Sequence, residues 1–531
     1  MVRGVAGDVV VVGGGPVGLL LACELAGRGV RTVVVESRAG VSRCPRATTV
    51  HARAVQCLVR RGFLGGLAAG REGRGGGAGG GSAGGVPVSS SVFHFAGMAG
   101  LVISVPVGEP VPVLKCAQQE LERHFEGRAR AVGVRVLRGF RVAGVRQGPG
   151  GVRVTARGPG GVVVCRGRYL VGADGARSVV RREAGFASCS SPATVSAMAG
   201  DVRVEGGEGL EAGWQRTERG WIVARPLEGG WVRLRTLNCS GASVERDRPL
   251  GLEELQREVG WITGRDVVLG EGRWLSRFSD FSRLAACYRK GRVLLAGDAA
   301  HVHFPIGGQG LSTGVLDAVN LGWKLALAVR GEAGQGLLDS YDLERRPAAQ
   351  RVIDHTRAQL ALMRPGPELE PLRALFGELL ARGGESGVLA SMVSAQDTVL
   401  PGRGDGSPAW EGTFLHNTVL HTRRGPADVI GLLTEGSPLL LLLGDRRGTA
   451  AACAGQAERW AGRVRVVRAE PVPGLPCALL VRPDGYVAWA SDAEGPDAWA
   501  SGAGGLAAAL TALFGPAGAV KSPGVLAGSV S

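Results

Sequence analysis

The segment Asp8-Val9-Val10-Val11-Val12-Gly13-Gly14-Gly15-Pro16-Val17-Gly18 decides the fold of this chain. Its run of valines predicts a strand that is buried on both faces. Leu19–Ala26 then follows a helical periodicity, and Thr32–Glu36 is predicted to be a second strand. Glycines stand where the first strand turns into the helix, at the spacing Gly-x-Gly-x-x-Gly. The segment therefore predicts a βαβ unit whose turn binds the pyrophosphate of a dinucleotide.

The residue types in this turn each have a physical reason. Gly13 permits the tight turn, Gly15 lets the backbone approach a pyrophosphate, and Gly18 lets the helix pack on the strand. Near Pro16, the unpaired N–H groups and the dipole of the helix start favour a bound anion. Glu36 ends the second strand, where its carboxylate can accept hydrogen bonds from an adenosine ribose. The same charge would repel a ribose 2′-phosphate, so the turn suits FAD or NAD rather than NADP.

Two later segments carry an aspartate directly after an apolar strand. The first strand, Tyr169–Gly172, leads into Ala173-Asp174-Gly175-Ala176-Arg177-Ser178. An Asp-Gly pair after a strand is by itself usually a turn. The second strand, Arg292–Ala296, ends in Gly297-Asp298-Ala299-Ala300-His301. At the carboxyl end of this strand, Asp298 is placed to hold a ribityl or ribose hydroxyl.

A glycine-rich loop and a long helix follow the second aspartate. The loop is Pro305-Ile306-Gly307-Gly308-Gln309-Gly310-Leu311-Ser312, and Val315–Val329 has helical periodicity. The glycines admit a flat ring against the backbone, and the start of the helix is a second anion-receptive end. The N–H groups of Gly310 and Leu311 are predicted to supply fixed dipoles for negative charge on that ring.

The three segments together resemble the single-component FAD-dependent aromatic hydroxylases, a layout that rifampicin monooxygenase and the phenol hydroxylases share. The piece Leu480-Val481-Arg482-Pro483-Asp484-Gly485-Tyr486-Val487-Ala488-Trp489 resembles the last domain of the aromatic polyketide hydroxylases within that family. The resemblance implies an α/β fold with a Rossmann-like FAD-binding domain. It also implies an inserted, mostly antiparallel β substrate domain and a thioredoxin-like C-terminal domain.

The resemblance and the changes of composition along the chain predict where the domains lie. The FAD-binding domain is expected in two parts, 1–185 and 286–400, with the substrate-binding sheet at 186–285 between them. The thioredoxin-like domain is expected at 409–520, after a linker near 401–408 that is rich in Gly, Pro and Asp. A Gly-rich stretch at 65–85 lies outside the resemblance, and no function is predicted for it.

The resemblance further implies which residues contact the cofactor and the substrate. Arg46 or Arg53 matches an arginine that approaches the flavin, Gln118 matches a glutamine near the cofactor, and Val142 flanks the adenine. Asp174 belongs to a motif that handles both FAD and NADPH. The predicted cofactor-binding residues are Gly13, Gly15, Pro16, Gly18, Glu36, Arg46, Arg53, Gln118, Val142, Asp174, Asp298, Pro305, Gly308, Gly310, Leu311 and Ser312. The predicted substrate-binding residues are Trp214, Trp221 and Trp231.

The activity that the resemblance implies is a monooxygenase reaction. NAD(P)H, with NADPH expected as the transient co-substrate, would reduce FAD. O₂ would then form a C4a-hydroperoxyflavin, which would hydroxylate a polycyclic aromatic polyketide-type substrate in antibiotic biosynthesis. This chemistry needs neither a protein nucleophile nor a metal, so no catalytic residue and no metal ligand is predicted. One alternative is Baeyer–Villiger oxygen insertion or antibiotic-inactivating hydroxylation on the same scaffold. A second is a non-catalytic flavin- or polyketide-binding protein.

Composition and charge argue against several other classes. The net charge of +15 comes from scattered arginines without a basic block, so nucleic-acid binding is not predicted. No apolar run reaches the roughly 18 residues that a membrane span needs, and no secretory signal is seen, which predicts a cytoplasmic protein. The 10 cysteines show no Cys-x-x-Cys and no zinc-ligand spacing, which predicts buried thiols. Family likeness implies a homodimer.

Overall fold

A computed structural model of the chain describes residues 2–42, 44, 47–65, 67, 88–205, 210–242, 248–382, 387–402, 409–444, 448–491 and 496–517. In the first half of the chain, its strands are β1 Val2–Ala6, β2 Val9–Val12, β3 Thr32–Glu36, β4 Thr49–His51, β5 Val88–Phe95, β6 Met98–Pro106, β7 Val113–Lys115, β8 Arg135–Arg138, β9 Arg141–Gly148, β10 Gly151–Gly158, β11 Gly161–Gly167, β12 Tyr169–Gly172, β13 Ser188–Ser191, β14 Ser196–Glu205, β15 Gly213–Thr217, β16 Gly220–Leu227 and β17 Trp231–Asn238. The later strands are β18 Val268–Ser279, β19 Ser282–Ala285, β20 Arg289–Lys290, β21 Val293–Leu295, β22 His301–Val302, β23 Val419–Thr422, β24 Gly425–Asp428, β25 Leu439–Leu443, β26 Arg465–Ala469, β27 Ala478–Val481 and β28 Val487–Ser491. The helices are α1 Pro16–Ala26, α2 Ala52–Arg60, α3 Gln118–Ala131, α4 Val179–Glu183, α5 Leu252–Thr263, α6 Gln309–Arg330, α7 Ser340–Met363, α8 Glu370–Ala381, α9 Gly387–Ser394, α10 Val429–Leu433, α11 Thr449–Ala457 and α12 Pro496–Phe514.

A six-stranded sheet in the order β20-β21-β12-β2-β3-β8 forms the centre of the mixed α/β part of the fold. All neighbours pair in parallel except the edge strand β20, which is antiparallel to β21. Every residue of Val9–Val12 is buried, and α1 packs on both α3 and α6. This confirms the predicted βαβ unit, whose helix begins at Pro16. The carboxyl ends of the parallel strands meet at one edge, where open α/β sheets bind ligands.

An antiparallel sheet in the order β15-β16-β17-β14-β18 lies in the middle of the chain, where the sequence predicts one. The helix α5 packs on one face of this sheet, against β16, β17 and β18. A further hairpin, β5–β6, was not predicted; it packs on α8 and α9. The predicted Gly-rich stretch at 65–85 lies almost entirely outside the described residues, as do residues 403–408 of the predicted linker.

The C-terminal sheet has the order β24-β23-β26-β25-β27-β28, with every residue of Leu439–Leu443 buried in its middle strand. The predicted β27–β28 hairpin is present, and the turn that joins its strands carries Arg482 and Asp484. Arg482 donates through Nη1 and Nη2 to the two carboxylate oxygens of Glu344, each at 2.8 Å, and Lys324 Nζ donates to Glu344 Oε2 at 2.8 Å. Burial alone would raise the pKa of Glu344, but these two cations hold it well below its usual value. A buried ion-pair network thus joins this hairpin to α6 and α7.

The sequence predicts buried thiols, and this holds for five of the ten cysteines. Cys23, Cys57, Cys116, Cys165 and Cys453 are buried. Among the others, Cys44 and Cys189 are exposed and Cys239, Cys287 and Cys477 are intermediate. Cysteine spacing bears on zinc binding, but it says nothing about which face of an element a cysteine occupies. In the described residues, no helix is long and apolar enough to cross a membrane.

Candidate active site

A cavity of about 990 Å³ runs from the carboxyl edge of the parallel sheet to the antiparallel sheet. This volume is at the upper end of the range for ligand pockets, which is roughly 300–1,000 Å³. We define the strand-end wall as the lining residues Gly13, Gly15, Pro16, Glu36, Asp174, Asp298, Pro305, Gly307, Gly308, Gly310 and Leu311. We define the aromatic wall as the lining residues Phe93, His94, Trp214, Trp221, Trp274 and Phe278.

The glycine turn after β2 has the conformation that only glycine adopts without strain. Gly13 has a φ of +114°, and a Cβ there would lie 2.2 Å from the carbonyl oxygen of Ala173. A Cβ on Gly18 would lie 2.1 Å from the carbonyl oxygen of Gly13, so this residue is required for packing of helix on strand. At Gly15 an added Cβ would meet nothing within 4 Å, because this position faces the cavity. The turn therefore presents open backbone at the N-terminus of α1.

Glu36 at the end of β3 both lines the cavity and organises the turn. Its Oε2 accepts a hydrogen bond from the Gly14 N–H at 2.6 Å, and its Oε1 accepts one from the Arg38 N–H at 2.7 Å. The carboxylate thus lies beside the glycine turn. Gln118, Glu122, Phe140 and Val142 also line this end of the cavity, and burial raises the pKa of Glu122.

Asp174 lines the cavity and also caps a short helix. Its Oδ2 accepts hydrogen bonds from the N–H groups of Val179 at 2.7 Å and Val180 at 3.1 Å. The Ser178 hydroxyl donates to the other oxygen, Oδ1. Burial raises the pKa of Asp174 above its usual value, although these hydrogen bonds oppose the shift. Asp174 thus forms a turn and caps a helix, and it also faces the cavity.

A buried ion-pair network supports the second aspartate motif from behind. Asp317 in α6 accepts hydrogen bonds from the Gly297 N–H at 3.0 Å and His301 Nε2 at 2.7 Å, while Arg345 Nε donates to its other oxygen at 2.9 Å. Burial would raise the pKa of Asp317, but the facing His301 and Arg345 hold it below its usual value. Asp298 itself is exposed to the cavity. The network fixes the backbone that presents Asp298.

The loop before α6 is held by a histidine that the sequence analysis did not single out. Gly307 and Gly308 have φ angles of +71° and +65°, which favour glycine. His51 Nε2 donates to the Gly307 carbonyl at 2.7 Å, and its own N–H donates to Ser312 Oγ at 3.0 Å. Burial lowers the pKa of His51 to about 4, so its ring is neutral at pH 7. The loop therefore presents Gly310 and Leu311 to the cavity at the first turn of α6, where backbone N–H groups have no helical partner.

Four rings of the aromatic wall form a continuous chain of contacts. Phe93 stacks on His94 with centroids 4.7 Å apart, His94 lies 4.8 Å from Trp214, and Trp214 meets Trp221 edge-on at 5.9 Å. The Trp221 indole N–H donates to the Met363 carbonyl at 2.6 Å, which fixes that ring. Offset and edge-on ring pairs are the favourable arrangements of aromatic side chains. This wall offers flat apolar faces to a ligand.

The chain matches two family models. One, described as an FAD binding domain, matches residues 6–356. The other, described as the C-terminal domain of aromatic-ring hydroxylases, matches residues 408–517. The chain belongs to the FAD-dependent aromatic-ring hydroxylases. The family named from the three motifs is thereby confirmed, and with it FAD as the cofactor and a monooxygenase as the class of enzyme.

Individual relatives of this hydroxylase align over nearly the whole chain. It is 38% identical over 513 residues to a dialkyldecalin synthase from Streptomyces rugosporus, covering 96% of this chain and 99% of that protein. It is 37% identical over 503 residues to the 12-dehydrotetracycline 5-monooxygenase/anhydrotetracycline 6-monooxygenase of Streptomyces rimosus, covering 92% and 96%. The crystal structure of an aromatic hydroxylase from angucycline biosynthesis superposes with a TM-score of 0.83 at 34% identity, covering 96% of this chain and 99% of that one.

The cavity of this aromatic-ring hydroxylase fits FAD on structural grounds. Gly15 and Gly175 face open space within it, so the backbone is free to approach a ligand there. At Gly310 an added Cβ would meet only the ring of His303, at 3.4 Å. Glycines thus keep both ends of the cavity open. The described residues contain no His, Cys, Asp and Glu group that could hold a metal ion.

The structure brings most of the predicted site residues together around the cavity. The predicted residues that line it are Gly13, Gly15, Pro16, Glu36, Gln118, Val142, Asp174, Trp214, Trp221, Asp298, Pro305, Gly308, Gly310 and Leu311. Gly18, Arg53, Trp231 and Ser312 are not among the lining residues. Arg46 lies outside the described residues.

The predicted residues away from the cavity have other contacts in this hydroxylase. The Arg53 guanidinium is buried 3.7 Å from the centre of the Phe414 ring and donates to the Gln396 carbonyl at 2.8 Å. The Trp231 ring lies under Arg273, with the guanidinium carbon 3.6 Å from the ring centre. Ser312 accepts the hydrogen bond from the His51 N–H described above.

Sequence reasoning missed several residues of the site. Phe93 and His94 belong to the unpredicted hairpin, and Lys115, Arg225 and Arg235 also line the cavity. Asp317 could have been found from the sequence, because it is a charged residue within an apolar helical run. The arginines of the antiparallel sheet gave no such signal, because arginine is common throughout this chain.

Proposed function

We propose that the protein is an FAD-dependent, NAD(P)H-consuming monooxygenase that hydroxylates a polycyclic aromatic polyketide-type substrate in antibiotic biosynthesis. The observation that carries this proposal is the single cavity in which the strand-end wall and the aromatic wall both take part. A cofactor on the first wall and a flat substrate on the second would share one cavity. The tetracycline and angucycline enzymes named above support the substrate class.

The proposed contacts follow the order of the strand ends. The backbone from Gly13 to Pro16 binds the FAD pyrophosphate, and Glu36 accepts hydrogen bonds from the adenosine ribose, with Gln118 and Val142 nearby. Asp298 binds the ribityl chain. The loop residues Pro305, Gly308, Gly310 and Leu311 would hold the isoalloxazine. When bound, FAD would take electrons from NADPH and activate O₂ for transfer of one oxygen atom.

The chain's own residues have three tasks in this proposal. The N–H groups of Gly310 and Leu311 stabilise negative charge on the ring that lies over them, because fixed dipoles at a helix start need no reorganisation. Neutral His51 holds that loop in place through the Gly307 carbonyl. The aromatic wall positions the substrate and excludes water, which would otherwise divert the activated oxygen. None of these tasks requires a protein nucleophile.

The finer architecture is part of the same proposal. The C-terminal sheet of β23–β28 is a thioredoxin-like domain at 409–520, and the FAD-binding domain comprises 1–185 and 286–400 around the sheet domain 186–285. Cys453 and Cys477 are the cysteines of the last domain, and burial raises the pKa of Cys453 to about 12. The domain is therefore structural and not redox-active. The proposed assembly is a homodimer.

The decisive experiment supplies purified FAD-loaded protein with NADPH, O₂ and a panel of polycyclic aromatic polyketides. We expect NADPH consumption that depends on the substrate, together with a product heavier by one oxygen atom. Product spectroscopy then separates ring hydroxylation from ring expansion by Baeyer–Villiger insertion. Protein that binds FAD and these compounds but gives no oxygenated product would refute the proposal.

A second candidate function is a cyclisation that forms a decalin ring without net oxidation. Similarity to the dialkyldecalin synthase over 96% of this chain favours it. A linear polyene substrate would then give an isomer of unchanged mass with no consumption of NADPH. The same mass measurement therefore distinguishes the two functions.

A further inference from the structure

The register of the antiparallel sheet gathers arginines on the face that borders the cavity. Arg235 of β17 pairs with Val223 of β16 and with Ala199 of β14, and all three residues line the cavity. Two residues along, Arg233 pairs with Arg225 and with Asp201. Residues two apart on a strand point to the same face. The three arginines therefore lie on the face of the sheet that the aromatic wall shares.

The described residues around this face carry too few carboxylates to balance these charges. Asp201 is held by Arg233, which donates to its two carboxylate oxygens at 2.6 Å and 2.8 Å. In the part of the chain that the structure describes, the side chains of Arg225 and Arg235 make no hydrogen bond and no ion pair with another residue. Lys115 is a further cation of the lining, with Nζ 4.8 Å from the centre of the Phe93 ring and 3.2 Å from Thr49 Oγ1.

The carboxylates that line the cavity lie elsewhere. They are Glu36, Glu122, Asp174 and Asp298, which belong to the strand ends and α3. Arg225 and Arg235 are both exposed to solvent. A ligand that displaces this water would leave two cations that repel each other desolvated, unless the ligand supplies an anion to pair with them.

We propose that the substrate is an anion whose oxyanion binds between Arg225 and Arg235 while its ring system lies on the aromatic wall. That the substrate has a polycyclic ring system rests on the proposed function; its negative charge is the new inference. An arginine fork matches two oxygens of a carboxylate, or the oxygen pair of an ionised hydroxyquinone or acidic enol. Lys115 adds a long-range attraction for the same charge. A neutral polyketide of the same shape is a poorer ligand because it leaves the arginines unpaired.

The first test measures binding without turnover. Isothermal titration calorimetry of the FAD-loaded protein compares anthraquinone-2-carboxylate with its methyl ester. We expect the acid to bind at least about tenfold more tightly, which is typical of a charge-assisted hydrogen bond in a pocket. Arg235→Gln should abolish this preference, Arg235→Lys should keep most of it, and Arg225→Gln should reduce it independently. Arg257→Gln is the matched control, because Arg257 lies on α5 with its side chain 71% exposed.

A second arm separates the two sources of the oxyanion. Alizarin, whose 2-hydroxyl ionises readily, is compared with its 2-O-methyl ether in the same variants. Tighter binding of either anion than of its neutral partner, lost in Arg235→Gln, supports the proposal and identifies the preferred group. Equal binding of both anions and both neutral partners overturns it.

The alternative is that the cofactor, and not the substrate, supplies the anion that pairs with the two arginines. If Arg235→Gln lowers the FAD content measured near 450 nm and leaves the ligand preference unchanged, the arginines serve the cofactor and the proposal fails. Failure of the proposed function is distinguishable from this result. In that case the preference for anions persists in the binding data, but no oxygenated product forms.

Discussion

The two walls of the cavity present different parts of the chain to a ligand. The strand-end wall uses the backbone of glycine turns, and buried polar groups such as Asp317 and His51 hold those turns from behind. The aromatic wall uses side chains that project from antiparallel strands, such as Trp214 and Trp221, and Arg225 and Arg235 project from the same sheet. A change in the tight glycines or in the buried polar groups that hold the first wall therefore disturbs the fold itself. A change on the second alters what binds while the strands keep their hydrogen bonds.

The largest effect is expected where a buried charge behind the strand-end wall is removed. Asp317→Asn leaves Arg345 buried without its anion, which should lower the free energy of unfolding by about 3–5 kcal/mol. Urea denaturation and FAD content would measure it. Asp339→Asn is the control, because Asp339 is 65% exposed in its pair with Arg289 and exposed pairs contribute only about 0–1 kcal/mol. Equal losses in the two variants would contradict the supporting role of the network.

Substitutions at two glycines of one turn should distinguish an effect on folding from an effect on ligand binding. Gly13→Ala places a methyl group 2.2 Å from a carbonyl oxygen at a positive φ, so we expect a loss of about 2–4 kcal/mol even without FAD. Gly15→Ala meets no atom, so the apoprotein should keep its stability while FAD binds more weakly. Thermal unfolding with and without FAD measures both. An apoprotein destabilised equally by the two changes would show that Gly15 serves the fold and not the ligand.

The third effect depends on pH. Because the pKa of His51 is lowered to about 4, the unfolded chain binds a proton below about pH 6.5 that the folded chain does not. The stability contributed by neutral His51 is thus present above pH 6.5 and is lost as the pH falls towards 4, by about 1–2 kcal/mol between pH 7 and 5. His51→Gln should show a smaller decrease of the melting temperature over this interval. An unchanged decrease would mean that other groups, His94 among them, carry the dependence.

The smallest effect is expected on the aromatic wall. Trp214→Ala removes one flat face, which should weaken substrate binding by up to about tenfold, since a ring contact contributes roughly 0.5–1.5 kcal/mol. FAD content and melting temperature should remain at the wild-type values. Trp261→Ala is the matched control, because Trp261 is 50% exposed on α5 and does not line the cavity. A KM that rises in both variants would remove the case for a substrate contact at Trp214.

The sequence could predict the strand-end wall because its parts are contiguous. A valine run, a glycine spacing and an aspartate after a strand each lie within a few residues, so the local pattern carries the chemistry. Arg53 shows the limit: no local feature indicates that its guanidinium lies over Phe414, which is more than 350 residues away in the chain. Arg235 shows another, because its place beside Arg225 depends on the register between strands. Long-range pairing decides both positions.

The contact between Arg482 and Glu344 has a consequence for how this chain can be shortened. A polypeptide ended before residue 409 would retain Lys324 in α6 and Glu344 in α7. It would lose the Arg482 guanidinium that pairs with Glu344, and the Asp484 carboxylate that pairs with Arg482. Apolar surface of α6 around Trp323 would become solvated at the same time. The C-terminal region therefore covers apolar surface of the rest of the protein and cannot be removed without exposing it. Expression of the first 400 residues alone should yield aggregates instead of a minimal enzyme.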